Sequence, residues 1–197
     1  MTKTLQQPFP PPTPNAIASY SYNDIAEGTG IVNFYPIVGK TSAGTTYDLI
    51  SETLDGWLIE TPANESATYT FQTKDFNLPR YVKGTAYFSA HFYSASGTTN
   101  VSIKIQKWDG ATATDLTGTI LSANGSNLKN HAVFLKVPIT TETIIKKGES
   151  IRAIVVWTQS AGDTHLGWSP TNQTSPTGNL TNTQMIIGIP FRLDDVV

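Results

Sequence analysis

An apolar–polar alternation with a period of two recurs along this sequence, and a chain patterned in that way must bury one face of a sheet. In VSIKI, Val101, Ile103 and Ile105 fall on one side, and Ser102, Lys104 and Gln106 on the other. Ala86, Phe88, Ala90 and Phe92 alternate with Tyr87, Ser89, His91 and Tyr93. Val133, Leu135 and Val137 alternate with Phe134 and Lys136, and Met185, Ile187, Ile189, Phe191 and Leu193 alternate with polar or small residues. IRAIVVW, from Ile151 to Trp157, is apolar on nearly both faces, the pattern of a central strand. Asp55-Gly56, Ser96-Gly97, Asp109-Gly110, Asn124-Gly125, Lys147-Gly148 and Gly162-Asp163 separate the runs, each with a residue that tolerates φ > 0.

Strands are therefore expected near 31–38, 45–51, 57–61, 67–73, 84–93, 100–107, 131–138, 150–158, 164–168 and 184–193. No segment carries a helical stripe of useful length. About eight to ten short strands joined by Gly and Asn turns point to an all-β antiparallel sandwich or barrel. Its expected core is Val101, Ile103, Ile105, Val133, Leu135, Val137, Ile151, Ala153, Val155 and Trp157. Residues 109–130 and 169–183 are polar and turn-rich and are expected as exposed loops. No repeat of propeller or solenoid length is present.

The N-terminal stretch PFPPPTP, residues 8 to 14, obeys a different rule. Each proline fixes its own φ and pushes the preceding residue toward extended geometry, so the segment is expected as polyproline II, unable to join a sheet ladder. At about 3.1 Å per residue, the stretch from Leu5 to Ala16 reaches roughly 35 Å. The chain thus divides into an extended arm, residues 1–19, and a sandwich domain, residues 20–197. The arm is expected to lie on a neighbouring subunit, with Leu5, Phe9, Pro10, Pro11, Pro12 and Pro14 as contact residues and Tyr20 and Tyr22 where it enters the domain. Docking on an SH3-type groove is the alternative, but Lys3 is the one basic residue nearby.

Charge and side-chain chemistry narrow the function classes. Charged residues make up 14 % of the chain against 39 % hydrophobic, which argues against disorder. The 13 Lys and Arg are scattered and the net charge is −2, which argues against nucleic-acid binding. There is no cysteine, hence no disulfide or thiolate site. No run approaches the roughly 18 apolar residues of a membrane helix, and the N-terminus has no apolar core of a secretion signal, so no membrane partner is expected. His91, His131 and His165 lie far apart without metal-ligand spacing. The acidic residues sit mostly in turns, and no pair faces across one strand as glycoside hydrolysis would need. Asp24 and Glu27, in NDIAEGTG, could offer oxygens to a cation, but the turn alone explains them. The expectation is a chain with no catalytic residue, no metal and no cofactor.

Aromatic residues on polar faces are the positive clue to a surface role. Tyr87, His91 and Tyr93 share one face of their strand, and Trp108 breaks the alternation just before Asp109-Gly110. Such residues suit a subunit interface, ordinary packing, or a stacking platform for sugar rings.

TETIIKKGESIRAIVVW, HAVFLKVPI and VSIKIQKWDG resemble the jelly-roll virion structural proteins, capsid accessory and decoration proteins, of tailed bacteriophages and related viruses. In those proteins a polar turn of this kind leads into an apolar strand, and a short arm reaches a neighbour. SYSYNDIAEGTGIVNFYPI is similar to the start of such domains, so the resemblance covers about residues 20 to 193. It implies an antiparallel jelly-roll β-sandwich with a Pro-rich arm. It further implies a non-enzymatic decoration protein that forms a homo-oligomer, a trimer favoured, on a major capsid protein or other virion subunits, located in the virion and assembled in the host cytoplasm. The alternative is a carbohydrate-binding or host-attachment module that holds a glycan on Tyr87, His91, Tyr93 or Trp108.

Overall fold

A computed structural model describes residues 29–41, 44–51, 59–62, 67–94, 97–121, 125–126, 131–160, 164–169, 174, 182 and 184–192. The expected arm residues Leu5, Phe9, Pro10, Pro11, Pro12 and Pro14, the entry residues Tyr20 and Tyr22, the cation candidates Asp24 and Glu27, and the boundary at residue 19 lie outside the described residues.

The described residues hold strands and no helix. In chain order the strands are β1 (Thr29–Thr41), β2 (Gly44–Ile50), β3 (Ile59–Pro62), β4 (Ala67–Thr73), β5 (Arg80–Ser94), β6 (Thr98–Trp108), β7 (Ala113–Asp115), β8 (Ile120–Leu121), β9 (Gly125–Ser126), β10 (His131–Ile145), β11 (Ser150–Gln159), β12 (Thr164–Trp168) and β13 (Ile186–Arg192). One group, sheet A, pairs β10 with β5, β5 with both β12 and β13, β12 with β3, and β13 with β1. The other, sheet B, runs β1, β2, β4, β11, β6, with short β7, β8 and β9 on the β6 edge. β1 belongs to both: Thr29 to Phe34 pair with β13, and Tyr35 to Thr41 pair with β2.

Alternation explains which face each strand buries. In β5, Ala86, Phe88, Ala90 and Phe92 are fully buried, and in β11 so are Ile151, Ala153, Val155 and Trp157. The two sheets meet through these side chains. The ring of Phe92 lies 5.3 Å from that of Trp157, edge on, and Trp168 of β12 packs 4.2 Å from Tyr69 of β4. Every expected core residue is buried except Leu135, which is partly buried and packs against the core.

Two features depart from the expected antiparallel pattern. β2 and β4 run parallel, with Asp48 opposite Gln72 and Leu49 opposite Thr73, and a parallel bridge joins Ser169 to Gln184. The sheet is therefore mixed and does not close. The stretch 109–130, expected as a loop, instead adds three short strands to β6. Leu116 drops into the core, and Thr117 accepts a hydrogen bond from the Ile105 amide at 2.9 Å. One buried leucine and backbone pairing are enough to order a polar segment against an open sheet edge.

Candidate functional site

Sheet A presents an aromatic outer face. The register sets Tyr87 opposite Lys136 on β10 and opposite Gly188 on β13, and Gly188 is opposite Asn33 on β1. The missing side chain at Gly188 lets the Tyr87 ring lie over the backbone, where its hydroxyl donates to Oδ1 of Asn33. Phe134, paired with Ser89, stacks on the Tyr87 ring with centroids 5.7 Å apart and an interplanar angle of 23°. It remains 62 % exposed, and Ile31 on the same side of β1 is 46 % exposed. Burial raises the pKa of Tyr87, with Tyr35 adding to the rise and the Asn33 hydrogen bond opposing it. The phenol is neutral across physiological pH and its one proton is committed to Asn33.

The structure separates the other aromatic candidates. His91 sits between Ala132 and Gly167 in the register, with Nδ1 3.4 Å from the Gln184 carbonyl oxygen. Tyr93 is paired with His165, and their rings are 5.7 Å apart. His131 packs its ring on Phe92 at 5.1 Å. The three histidines thus serve three different contacts. Among the described residues no group of three or more His, Cys, Asp and Glu is placed to hold a metal ion.

Burial lowers the pKa of His91, the Gln184 carbonyl opposes that shift, and His131 adds to it. The folded state then favours neutral imidazole, whereas the unfolded chain takes up a proton near pH 6.5. The unfolded state binds more protons as pH falls below that value, so His91 makes the fold less stable in acid. Urea midpoints are expected to fall between pH 7.5 and 5.5, and His91→Gln should flatten part of that fall. An unchanged slope in the variant would assign the pH dependence elsewhere.

Trp108, a candidate for sugar stacking in the sequence, forms part of a packed polar face on sheet B. The Arg152 guanidinium carbon lies 3.4 Å from the centre of its ring. Arg152 Nε donates to Oε1 of Gln72 at 2.7 Å, and Gln72 Nε2 donates to Ser150 Oγ at 3.0 Å. Neither Phe134 nor Arg152 was among the expected site residues. Each carried a signal: Phe134 is an aromatic on the polar side of its alternation, and Arg152 is the lone charge in IRAIVVW.

A cleft of about 410 Å³ opens where β1 crosses between the sheets, lined by Phe34, Leu49, Ile50, Ser51, Thr73, Lys74 and Phe76. Its walls are mostly apolar, and the Thr73 hydroxyl is engaged by the Ile151 amide at 3.0 Å. It suits a small apolar group.

No family model and no curated protein matches this sequence. Solved structures do match. An α-amino acid ester hydrolase aligns with TM-score 0.54 and 11 % identity over 82 % of this chain and 36 % of its own. A CocE/NonD family hydrolase from Staphylococcus aureus gives 0.53 and 10 % identity over 84 % of this chain and 37 % of its own. An aminopeptidase from a marine sediment Thaumarchaeota archaeon gives 0.50 and 11 % identity over 80 % of this chain and 36 % of its own. This β-fold is shared with parts of larger hydrolases. The chain spans little more than a third of their length. A tailspike of bacteriophage CBA120 also matches, but its TM-score of 0.34 is too low to carry an argument.

These matches correct two expectations. The capsid decoration or attachment role rested on turn and strand phrasing that many β-folds share, and the folds similar enough to compare belong to hydrolases. The expectation that the chain is not an enzyme is overturned by the same hydrolase matches. Local residue spacing does not reveal side chains that only the fold brings together.

Proposed function

We propose that this chain is a jelly-roll β-module of a hydrolase acting on ester or amide bonds of amino-acid-type substrates, and that it docks on the catalytic domain through the outer face of sheet A. The observation that carries the reading is the asymmetry of the matches: more than four-fifths of this chain corresponds to about 36 % of an ester hydrolase. A module of that kind must bury one face against the rest of the enzyme. Exposed Phe134 stacked on Tyr87, with exposed Ile31 on the same side of the sheet, supplies the apolar and aromatic surface that such contacts use. Aromatic anchors of this kind carry a large share of interface energy, commonly about 2 kcal/mol or more each.

The test joins docking to activity. The chain, purified from its native source with its bound partners, should hydrolyse amino-acid methyl esters or aminoacyl p-nitroanilides. Phe134→Glu should remove both the partner and at least 90 % of that activity, roughly what a loss of about 2 kcal/mol in docking produces. Light scattering identifies the competing occupant, a second copy of this chain. A trimer that Phe134→Glu converts to inactive monomer, or hydrolysis that survives the substitution, would refute the proposal.

A further inference from the structure

The outer face of sheet B carries a row of polar side chains that crosses five strands in register. Asp48 of β2 is opposite Gln72 of β4, Gln72 is opposite Arg152 of β11, Arg152 is opposite Gln106 of β6, and Gln106 is opposite Asp115 of β7. Trp108 and Ser150 form the adjacent pair. At the β6–β7 end of the row the acidic charge is compensated locally. Asp115 takes Lys104 Nζ at 2.8 Å and Gln106 Nε2 at 2.6 Å. Arg152 has no carboxylate partner among the described residues.

Its guanidinium is nonetheless fixed. Trp108 covers one face and Gln72 holds Nε, so the plane cannot turn without giving up both contacts. The terminal nitrogens are left as the donor edge. A planar guanidinium locked at Nε presents paired N–H groups with the spacing of carboxylate oxygens, the arrangement used for bidentate recognition. Burial also pulls the pKa of Arg152 below its ordinary value, so a bound anion would relieve a cost the fold now carries. A lysine at this position would keep the charge but neither the flat stack on Trp108 nor the two-pronged donor edge. The fork fixed by Gln72 is the feature that packing alone does not require.

We infer that Arg152, seated on Trp108 and oriented by Gln72, is a binding site for the carboxylate of a small ligand. This site does not depend on docking through sheet A, because it lies on the opposite outer face. Two sources share the chemistry, an N-acylated amino acid and a sugar acid, and the probes distinguish them.

Titration of the full chain with N-acetylphenylalanine and with glucuronate, followed by indole fluorescence and by backbone amide shifts, reads the site. At least one carboxylate should quench Trp108 and shift the β11 and β6 amides, and its neutral counterpart, N-acetylphenylalaninamide or glucose, should bind at least about tenfold more weakly. Arg152→Gln should abolish the response. Arg152→Lys, which keeps the charge without the fork, should lose about tenfold and guards against a variant that fails to fold. Response to neither carboxylate, equal binding of acid and neutral forms, an Arg152→Lys variant as good as wild type, or equal competition by chloride would each overturn the assignment.

Discussion

Replacement of Trp157 by alanine should lower the unfolding free energy by about 3–5 kcal/mol, toward the lower end of that range. Trp157 is fully buried, touches the Phe92 ring across the sheet interface, and sits on the central strand between Val101 and Ala67. Truncation would remove the joint between the two sheets and leave a void near the middle of the core. One term opposes the loss. The indole N–H has no hydrogen-bond partner among the described residues, and an unsatisfied buried donor costs about 1–3 kcal/mol. Trp157→Phe removes that donor while keeping an aromatic ring, so it should cost under about 1.5 kcal/mol. Urea denaturation of both variants checks the pair. Equal losses for Phe and Ala would show that the volume filled is not what holds the joint, and would refute this account.

Local pattern revealed the strands that alternate and missed the contacts made between distant strands. β5, β6, β10 and β13 were readable because their own side chains declare which face is wet, and β11 because a run apolar on nearly both faces marks a central strand. The parallel pairing of β2 with β4 leaves no mark on either segment, since period two is the same for both directions. β7, β8 and β9 are too short to show a period, and they form because the β6 edge offers unpaired backbone groups. Candidate sites behaved in the same way. Tyr87 was legible as an aromatic on a polar face, but its neighbour Phe134 read as one more alternate residue until the register set them side by side. Trp108 was legible and Arg152 was not, although they stack, because 44 positions of sequence separate them and the β6–β11 pairing alone brings them together.

Gly188→Ala should cost about 1–3 kcal/mol, although the backbone there is ordinary for a strand and the substitution adds one methyl group. A Cβ at this position would sit 2.6 Å from Cδ1 of Tyr87 and nearer still to Cε1 and Cζ. The ring cannot simply swing aside. Phe134 stacks on it and Asn33 accepts from its hydroxyl, so displacement gives up the stack and the hydrogen bond together. Glycine to alanine in an extended segment with free space should instead stabilise by about 0.4–1 kcal/mol, because the unfolded chain has fewer conformations to lose. The two signs make a double-mutant cycle decisive. With Tyr87 already truncated to alanine, Gly188→Ala should cost nothing or stabilise, which gives a coupling energy of at least about 1 kcal/mol between the two positions. The same cost in both backgrounds would mean that the glycine is required for a reason other than the tyrosine above it. Tyr87 would then lose its footing as the fixed half of the exposed aromatic pair, and with it the rigidity on which the docking proposed for the outer face of sheet A rests.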